Sequence, residues 1–300
     1  MTEAWVFPGQ GSQKIGMAET LLSLDGASER FELASNLLGR DLLDICHGNS
    51  DQSTPLFDLN DTRNTQPAMF VVESLLIDEL KRQGSEAKLV AGHSLGELVA
   101  LYAAEVFDFS TGLTLLRSRS ELMAAAGGGA MTAVLGFDVK QLLSLVQNTE
   151  GVVVANDNSS DQIVLSGTPE AVEMVVAQLT CKRSVPLNVS GAFHSPLMKD
   201  PAEAFAKEID KLIFNNAIIP VVSNADPTPE TNGALLQKKL KKQMITGVRW
   251  RETMALMMTQ GINSIIEVGP GKVLSGLAKR SMPGVVIKQI SSARDLGIGT

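Results

Sequence analysis

Residues 89–98 run Leu-Val-Ala-Gly-His-Ser-Leu-Gly-Glu-Leu, and no other stretch restricts the fold as much. Leu89-Val90-Ala91 reads as a buried strand, Gly92-His93-Ser94-Leu95-Gly96 fits the pattern G-x-S-x-G, and Glu97 to Ala104 reads as a helix that starts at once. A serine hydroxyl is a weak nucleophile, so a fold that uses one must hold it rigidly beside a base. A sharp strand-to-helix turn does this by forcing Ser94 into a strained backbone conformation with its hydroxyl exposed at the sheet edge. Glycines are needed on both sides because side chains there would strike the neighbouring helix and strand. The N–H of Leu95, at the helix N-terminus, then points toward a developing oxyanion. The same five residues alone also fit an ordinary glycine-rich turn. Their place between a strand and a helix favours a nucleophile elbow.

The chain has 300 residues, enough for one large domain or a large and a small one. With 44% hydrophobic and 20% charged residues it is ordinary globular protein. It lacks the apolar run of about 18 residues that a transmembrane helix needs. Its start, Met1-Thr2-Glu3-Ala4, lacks the basic and apolar regions of a secretory signal. Two cysteines, Cys46 and Cys181, give no disulfide framework and fit a reducing cytoplasm. Three histidines and two separated cysteines have no zinc spacing, so no metal is expected. A net charge of −7 argues against a general nucleic-acid role.

Trp5-Val6-Phe7 is a short strand ended by Pro8-Gly9-Gln10-Gly11. Residues 17–45 read as helices, with Leu21, Leu22, Phe31, Leu33, Leu37 and Leu38 on buried faces. Residues 49–64 read as loop, Pro67 suits the first turn of a helix to about Arg82, and a helix from about Ser110 to Ala126 ends at Gly127-Gly128-Gly129. The texture then changes. Strand 131–135, helix 138–148, strands 152–155 and 162–165, helix 169–179 and strand 184–189 give the order β-α-β-β-α-β, the split βαβ arrangement. This predicts a small inserted domain at 128–190, flanked by 1–127 and 191–300. Helix 196–212, strand 218–222, helices 233–244 and 250–259, strand 263–267 and helix 270–280 complete the chain.

A serine nucleophile needs a base. His47 lies in a polar helix end, and His93, next to Ser94, has a side chain pointing away in an elbow. By elimination His194, in Phe193-His194-Ser195-Pro196, is the best candidate. In Gly9-Gln10-Gly11 the glycines allow close backbone approach, so the Gln10 N–H is a candidate second oxyanion donor, against the alternative of a plain turn. Arg117 and Arg119 share one helix with Leu113, Leu115, Leu116, Leu122 and Met123, so at least one lies near the apolar face, and a buried arginine needs an anion. Lys238, Lys239, Lys241 and Lys242 form a cationic helix face, either simply solvated or a dock for an acidic partner.

Taken together these residues resemble the malonyl-CoA:acyl-carrier-protein transacylases and the acyltransferase domains of polyketide synthases. The matching pieces are Phe7-Pro8-Gly9-Gln10-Gly11-Ser12-Gln13, Thr65-Gln66-Pro67-Ala68, Gly92 to Glu97, Arg119 with Met123 four residues on, Gly191 to Met198, and Glu267-Val268-Gly269-Pro270-Gly271. They span nearly the whole chain in the family's order. The resemblance implies a hydrolase-like α/β core with a parallel sheet and an inserted ferredoxin-like α+β domain. It implies Ser94 as nucleophile, His194 as base, and Gln10 and Leu95 as backbone oxyanion donors. It selects Arg119, rather than Arg117, to pair with the malonyl carboxylate, and sets Gln66 and Met123 beside the substrate. It implies that the backbone carbonyl of Gln243 orients the histidine, with no triad aspartate. Three positions depart from the family pattern: Ser120 for a common glycine, Leu98 for a bulkier residue, and Gly247 for a proline, which should loosen the loop presenting Gln243.

The expectation is therefore a cytoplasmic malonyl transferase of fatty-acid synthesis. Its substrates are malonyl-CoA and acyl carrier protein, the latter docking at the lysine run, and it needs no cofactor or metal, no nucleic acid and no membrane. The alternatives are a trans-acting polyketide acyltransferase and an acyl-thioester hydrolase. Phe193, which narrows the space for an α-methyl, favours malonyl over methylmalonyl.

Overall fold

The computed structural model describes residues 2–51, 53–189 and 191–298. Its strands are β1 (Glu3–Phe7), β2 (Leu89–Gly92), β3 (Ala130–Phe137), β4 (Val152–Ser159), β5 (Gln162–Gly167), β6 (Cys181–Pro186), β7 (Val221–Val222), β8 (Pro229–Glu230), β9 (Ser264–Val268) and β10 (Val286–Ile290). One sheet has the order β10-β9-β1-β2-β7-β8, parallel except for β8. Its central strands bury both faces, which is why β1 and β2 read as unbroken apolar runs. Trp5, Phe7 and Val90 face a core shared with helices Thr62–Arg82, Gly96–Ala103 and Phe109–Ala125. Ala4, Val6, Leu89 and Ala91 face helices Trp250–Thr259 and Val273–Ser281. The parallel-rich α/β fold expected from the sequence is the one observed.

The second sheet has the order β4-β5-β3-β6, all neighbours antiparallel, with helices Val139–Asn148 and Pro169–Gln178 between its strands in the chain. The chain leaves and returns to the larger layer side by side: a Cβ on Gly129 would lie 2.2 Å from the Ala192 nitrogen. β4 is also tied to the loop that precedes the helix Trp250–Thr259. Val248 N–H donates to Ala155 O at 2.8 Å, and Asp157 N–H donates to Val248 O at 2.9 Å. The residue after Gly247 is thus tied to β4 through both its backbone N–H and its carbonyl.

Several element readings need correction. The helix assigned to start near Pro67 begins at Thr62, capped by the Asp61 side chain, and Pro67 lies inside it. Residues 17–45 hold a 3₁₀ turn, Glu19–Ser23, and helices Ala27–Leu38 and, reaching past 45, Leu42–His47. Leu22 and Leu33 are exposed there, while Leu21 and Phe31 are buried. The strand read at 184–189 lies at Cys181–Pro186, an edge strand that ends at a proline unable to donate to the ladder. The strand read at 218–222 is reduced to Val221–Val222, and the helix read at 233–244 stops at Leu240. The edge strands β8 and β10 have no counterpart in the sequence reading. Among the described residues no helix is long and apolar enough to cross a membrane.

Candidate active site

The turn after β2 has the geometry its glycines demand. Ser94 has φ +55°. A Cβ on Gly92 would fall 1.8 Å from Gly96 O, and one on Gly96 would fall 2.2 Å from Phe7 O, so both positions exclude any side chain. Asn224, just beyond β7, clamps the turn. Its Oδ1 accepts from Ser94 N–H at 2.7 Å and its Nδ2 donates to Gly92 O at 2.6 Å.

The Ser94 hydroxyl lies 2.7 Å from His194 Nε2. His194 is buried, with φ +57°. Its Nδ1 is 3.0 Å from Gln243 O and 3.2 Å from Thr246 O. Both partners are carbonyls, which only accept, so Nδ1 carries the proton and Nε2 is free to accept one from the serine. Burial, with the Arg119 charge next in weight, lowers the His194 pKa to about 3, so the ring is neutral at physiological pH. His93 points away, as expected. Its Nε2 is 2.8 Å from Asn158 Oδ1 on β4, and its ring meets Trp250 edge-on.

Of the two arginines, helix geometry buries one. Arg119 is 1% exposed, whereas Arg117 is half-exposed and pairs with Glu121 one turn on. Arg119 Nη2 donates to Ser94 Oγ at 3.2 Å and to Gln243 Oε1 at 3.0 Å. Its Nη1 donates to Gln66 Oε1 at 2.7 Å. Gln66 Nε2 donates to Thr62 Oγ1 at 2.8 Å and lies 3.3 Å from the Met123 sulfur, and Thr62 Oγ1 donates to Gln10 Oε1 at 2.9 Å. One chain of donors and acceptors thus runs from the arginine to the Gly9-Gln10-Gly11 turn. Burial lowers the Arg119 pKa to about 10, with Glu97 opposing, so it stays cationic.

Gln10, Ser94, Leu95, Arg119, Met123, Asn156, Phe193 and His194 line a small cavity of ≈ 90 Å³. Gln10, Val189 and Phe193 also border a cleft of ≈ 630 Å³ that reaches Pro55, Asn60 and Arg63. Arg119 Nε and Asn156 Oδ1 are buried without hydrogen-bond partners. Both residues line the cavity, so it offers polar groups of either kind, a donor and an acceptor, to a ligand. The arrangement can transfer an acyl group: a hydroxyl, a neutral acceptor for its proton, and a buried cation for a second charge on the acyl chain.

All eight expected site residues converge here. The lysine run does not form one free cationic face. Lys239 Nζ lies 3.1 Å from Asp226 and Lys241 pairs with Asp210, leaving Lys238 and Lys242 exposed. Sequence reasoning missed Asn224, Asn158, Thr246 and the side chain of Gln243. It also gave Glu97 no role, although the run Gly92 to Glu97 contained it. Among the described residues no group of three or more His, Cys, Asp or Glu side chains could hold a metal ion.

Residues 4–297 match the acyl transferase domain family. The chain is 50% identical over 297 residues, 99% of each sequence, to the malonyl CoA-acyl carrier protein transacylase of Synechocystis sp. PCC 6803. It is similar to the crystal structure of the Synechocystis malonyl-CoA:ACP transacylase with a TM-score of 0.95, at 48% identity and 99% coverage of each chain. It also matches a malonyl-transacylase solved in complex with its type II polyketide-synthase acyl-carrier protein, with a TM-score of 0.91, 34% identity, and coverage of 99% of this chain and 98% of that one.

Proposed function

Because the chain belongs to the acyl transferase family, we propose that it moves a malonyl group from malonyl-CoA to the phosphopantetheine thiol of acyl carrier protein in fatty-acid synthesis, through an ester on Ser94. The observation that carries this reading is the buried Arg119 guanidinium 3.2 Å from a serine hydroxyl that is itself 2.7 Å from a neutral histidine nitrogen. A generic esterase has no use for the cation, but an acyl group ending in a carboxylate does.

The steps use only groups of this chain. Ser94 Oγ attacks the thioester carbonyl as His194 Nε2 takes its proton. The N–H groups of Gln10 and Leu95 hold the oxyanion. The tetrahedral intermediate collapses, the C–S bond breaks, and coenzyme A leaves with the proton from His194. The carrier thiol then enters and the sequence runs in reverse, which gives ping-pong kinetics. A malonyl carboxylate paired with Arg119 offsets the charge that depresses His194, so the correct substrate also makes the base stronger. The carbonyls of Gln243 and Thr246 fix the histidine tautomer in place of a carboxylate.

In this reading the larger cleft beside Gln10 and Phe193 receives the pantetheine arm. Residues 1–127 with 191–300 form the catalytic domain and 128–190 a ferredoxin-like insert that closes one wall of the site. The unpaired cysteines and the coenzyme A substrate fit a cytoplasmic enzyme.

The test is intact-protein mass spectrometry after brief exposure to malonyl-CoA, followed by addition of holo carrier protein. The wild type gains one malonyl group and passes it to the carrier, and Ser94→Ala gains none. Free malonate in place of malonyl-carrier would move the hydrolase reading ahead. Transfer confined to a polyketide carrier would place the enzyme in that pathway.

A further inference from the structure

The side-chain amide of Gln243 admits only one orientation. Arg119 Nη2 can only donate, so the atom 3.0 Å from it is the amide oxygen. Ser94 O can only accept, so the amide nitrogen faces it at 2.8 Å. The same nitrogen lies 3.0 Å from Glu97 Oε2. The backbone carbonyl of this residue meanwhile holds His194 Nδ1 at 3.0 Å. One glutamine therefore sets both the histidine and the arginine, and among the described residues Glu97 is the only charged partner of its NH₂ group.

Glu97 is 1% exposed, in the first turn of the helix that follows Ser94. Its Oε2 also accepts from Asn224 N–H at 3.1 Å, and Asn224 is the residue that clamps the turn. Among the described residues Glu97 is in no ion pair, and one amide separates it from Arg119. The separation matters. A carboxylate bonded directly to Arg119 would occupy the guanidinium and compete with any substrate anion. Placed one amide away, it supports the cation and aims it without filling its donors. Arg119 Nε stays unpaired.

We propose that Glu97 is a positioning residue: by fixing the Gln243 amide it aims Arg119 at the carboxylate of the acyl chain, and so sets the preference for malonyl over acetyl groups. The proposal rests on the transferase reading above, and it separates contact from charge. Glu97→Gln keeps an acceptor oxygen in place and loses the charge. Glu97→Asp keeps the charge and withdraws it by about 1.5 Å, one methylene.

The experiment measures single-turnover acylation of Ser94 by malonyl-CoA and by acetyl-CoA, read by intact mass. In Glu97→Asp the malonyl/acetyl rate ratio should fall about tenfold or more, while in Glu97→Gln it should stay within about threefold of wild type. Glu97→Met, which fills similar volume without an acceptor, repeats the loss should the shortened carboxylate prevent folding. Equal losses for both acyl groups in the Asp and Met variants would overturn the proposal, since a purely structural role slows both alike. So would a collapse of the ratio in Glu97→Gln as deep as in Glu97→Asp. If instead Ser94→Ala is acylated as fast as wild type, it is the transferase reading that fails, whatever the Glu97 variants do.

Discussion

Arg40 Nη2 donates to the backbone oxygen of Arg63 at 3.0 Å, and Arg63 lies four residues before Pro67. Proline has no N–H, so this carbonyl has no intrahelical i+4 donor in the helix Thr62–Arg82. Arg40 supplies one from outside and adds a bond from Nε to Asn64 Oδ1 at 2.6 Å. The helix that presents Gln66 to Arg119 thus runs through its proline unbroken. We expect Arg40→Ala to cost about 1–3 kcal/mol by leaving the carbonyl unpaired. In a Pro67→Ala background, where residue 67 regains its N–H, the same change should cost less by about 0.5 kcal/mol or more. Urea unfolding of the four proteins measures the coupling, and additive losses would assign Arg40 some other role.

The neutral His194 sets a pH dependence. Its pKa is about 3 in the fold, from burial first and Arg119 second, against 6.5 for an unperturbed ring. The base is therefore available well below pH 6.5. Acylation by malonyl-CoA should hold nearly constant from pH 7.5 to pH 5, where an ordinary histidine would lose about thirtyfold of its basic form. Stability moves the other way. The unfolded chain takes up a proton near 6.5 that the folded chain refuses until about 3, so stability is full above 6.5 and falls as pH drops through that window. Burial lowers His93 too and adds in the same direction. An acylation rate with an inflection near 6.5 would mean that His194 is solvated in the working enzyme.

What could be read from the sequence is what short-range sterics decide. Gly92 and Gly96 are fixed by backbone within a few ångströms, on β2's own turn and on β1, so the elbow is legible locally. Arg117 and Arg119, two residues apart on one helix, point in different directions, so the apolar pattern placed at least one near the buried face without saying which, and only the family resemblance selected Arg119. Asn224 was not legible because it is 130 residues from the serine it clamps, in a segment with no local pattern. The helix start at Thr62 was hidden because Pro67 is itself a good first-turn residue, and its compensation comes from Arg40, far back in the chain. The half-exposed β10, at the sheet edge, lacks the unbroken apolar run that marks β1 and β2.

The lysine run makes a sharper prediction than its sequence did. Lys239 and Lys241 are occupied by Asp226 and Asp210, so Lys238 and Lys242 remain to meet an acidic carrier on an enzyme of net charge −7. Reversing both to glutamate should raise KM for the carrier severalfold at low salt, an effect that fades as salt rises, and should leave the rate of Ser94 acylation by malonyl-CoA unaltered. An unchanged KM at low salt would return these lysines to the role of a solvated face.

Arg119 separates a malonyl transferase from an ordinary serine esterase. A malonyl group differs from acetyl by one carboxylate, which is costly to bury unless paired, and a guanidinium pairs with it through two parallel hydrogen bonds. Bonds of this charge-assisted kind contribute about 1.5–3 kcal/mol each, so Arg119→Ala should slow malonyl transfer by at least ~10²-fold. Acetyl transfer should be spared or faster, because the buried cation that penalised an apolar acyl group is gone and its depressing effect on His194 goes with it. The preference between the two thioesters should therefore invert. Arg117, half-exposed and paired with Glu121, serves as the control, and Arg117→Ala should leave the preference as it is. Competition between malonyl-CoA and acetyl-CoA for Ser94, read by mass, decides the matter. A preference unmoved by Arg119→Ala would show that the carboxylate is held elsewhere in the cavity, and would leave the arginine its bonds to Gln66, Gln243 and the Ser94 hydroxyl.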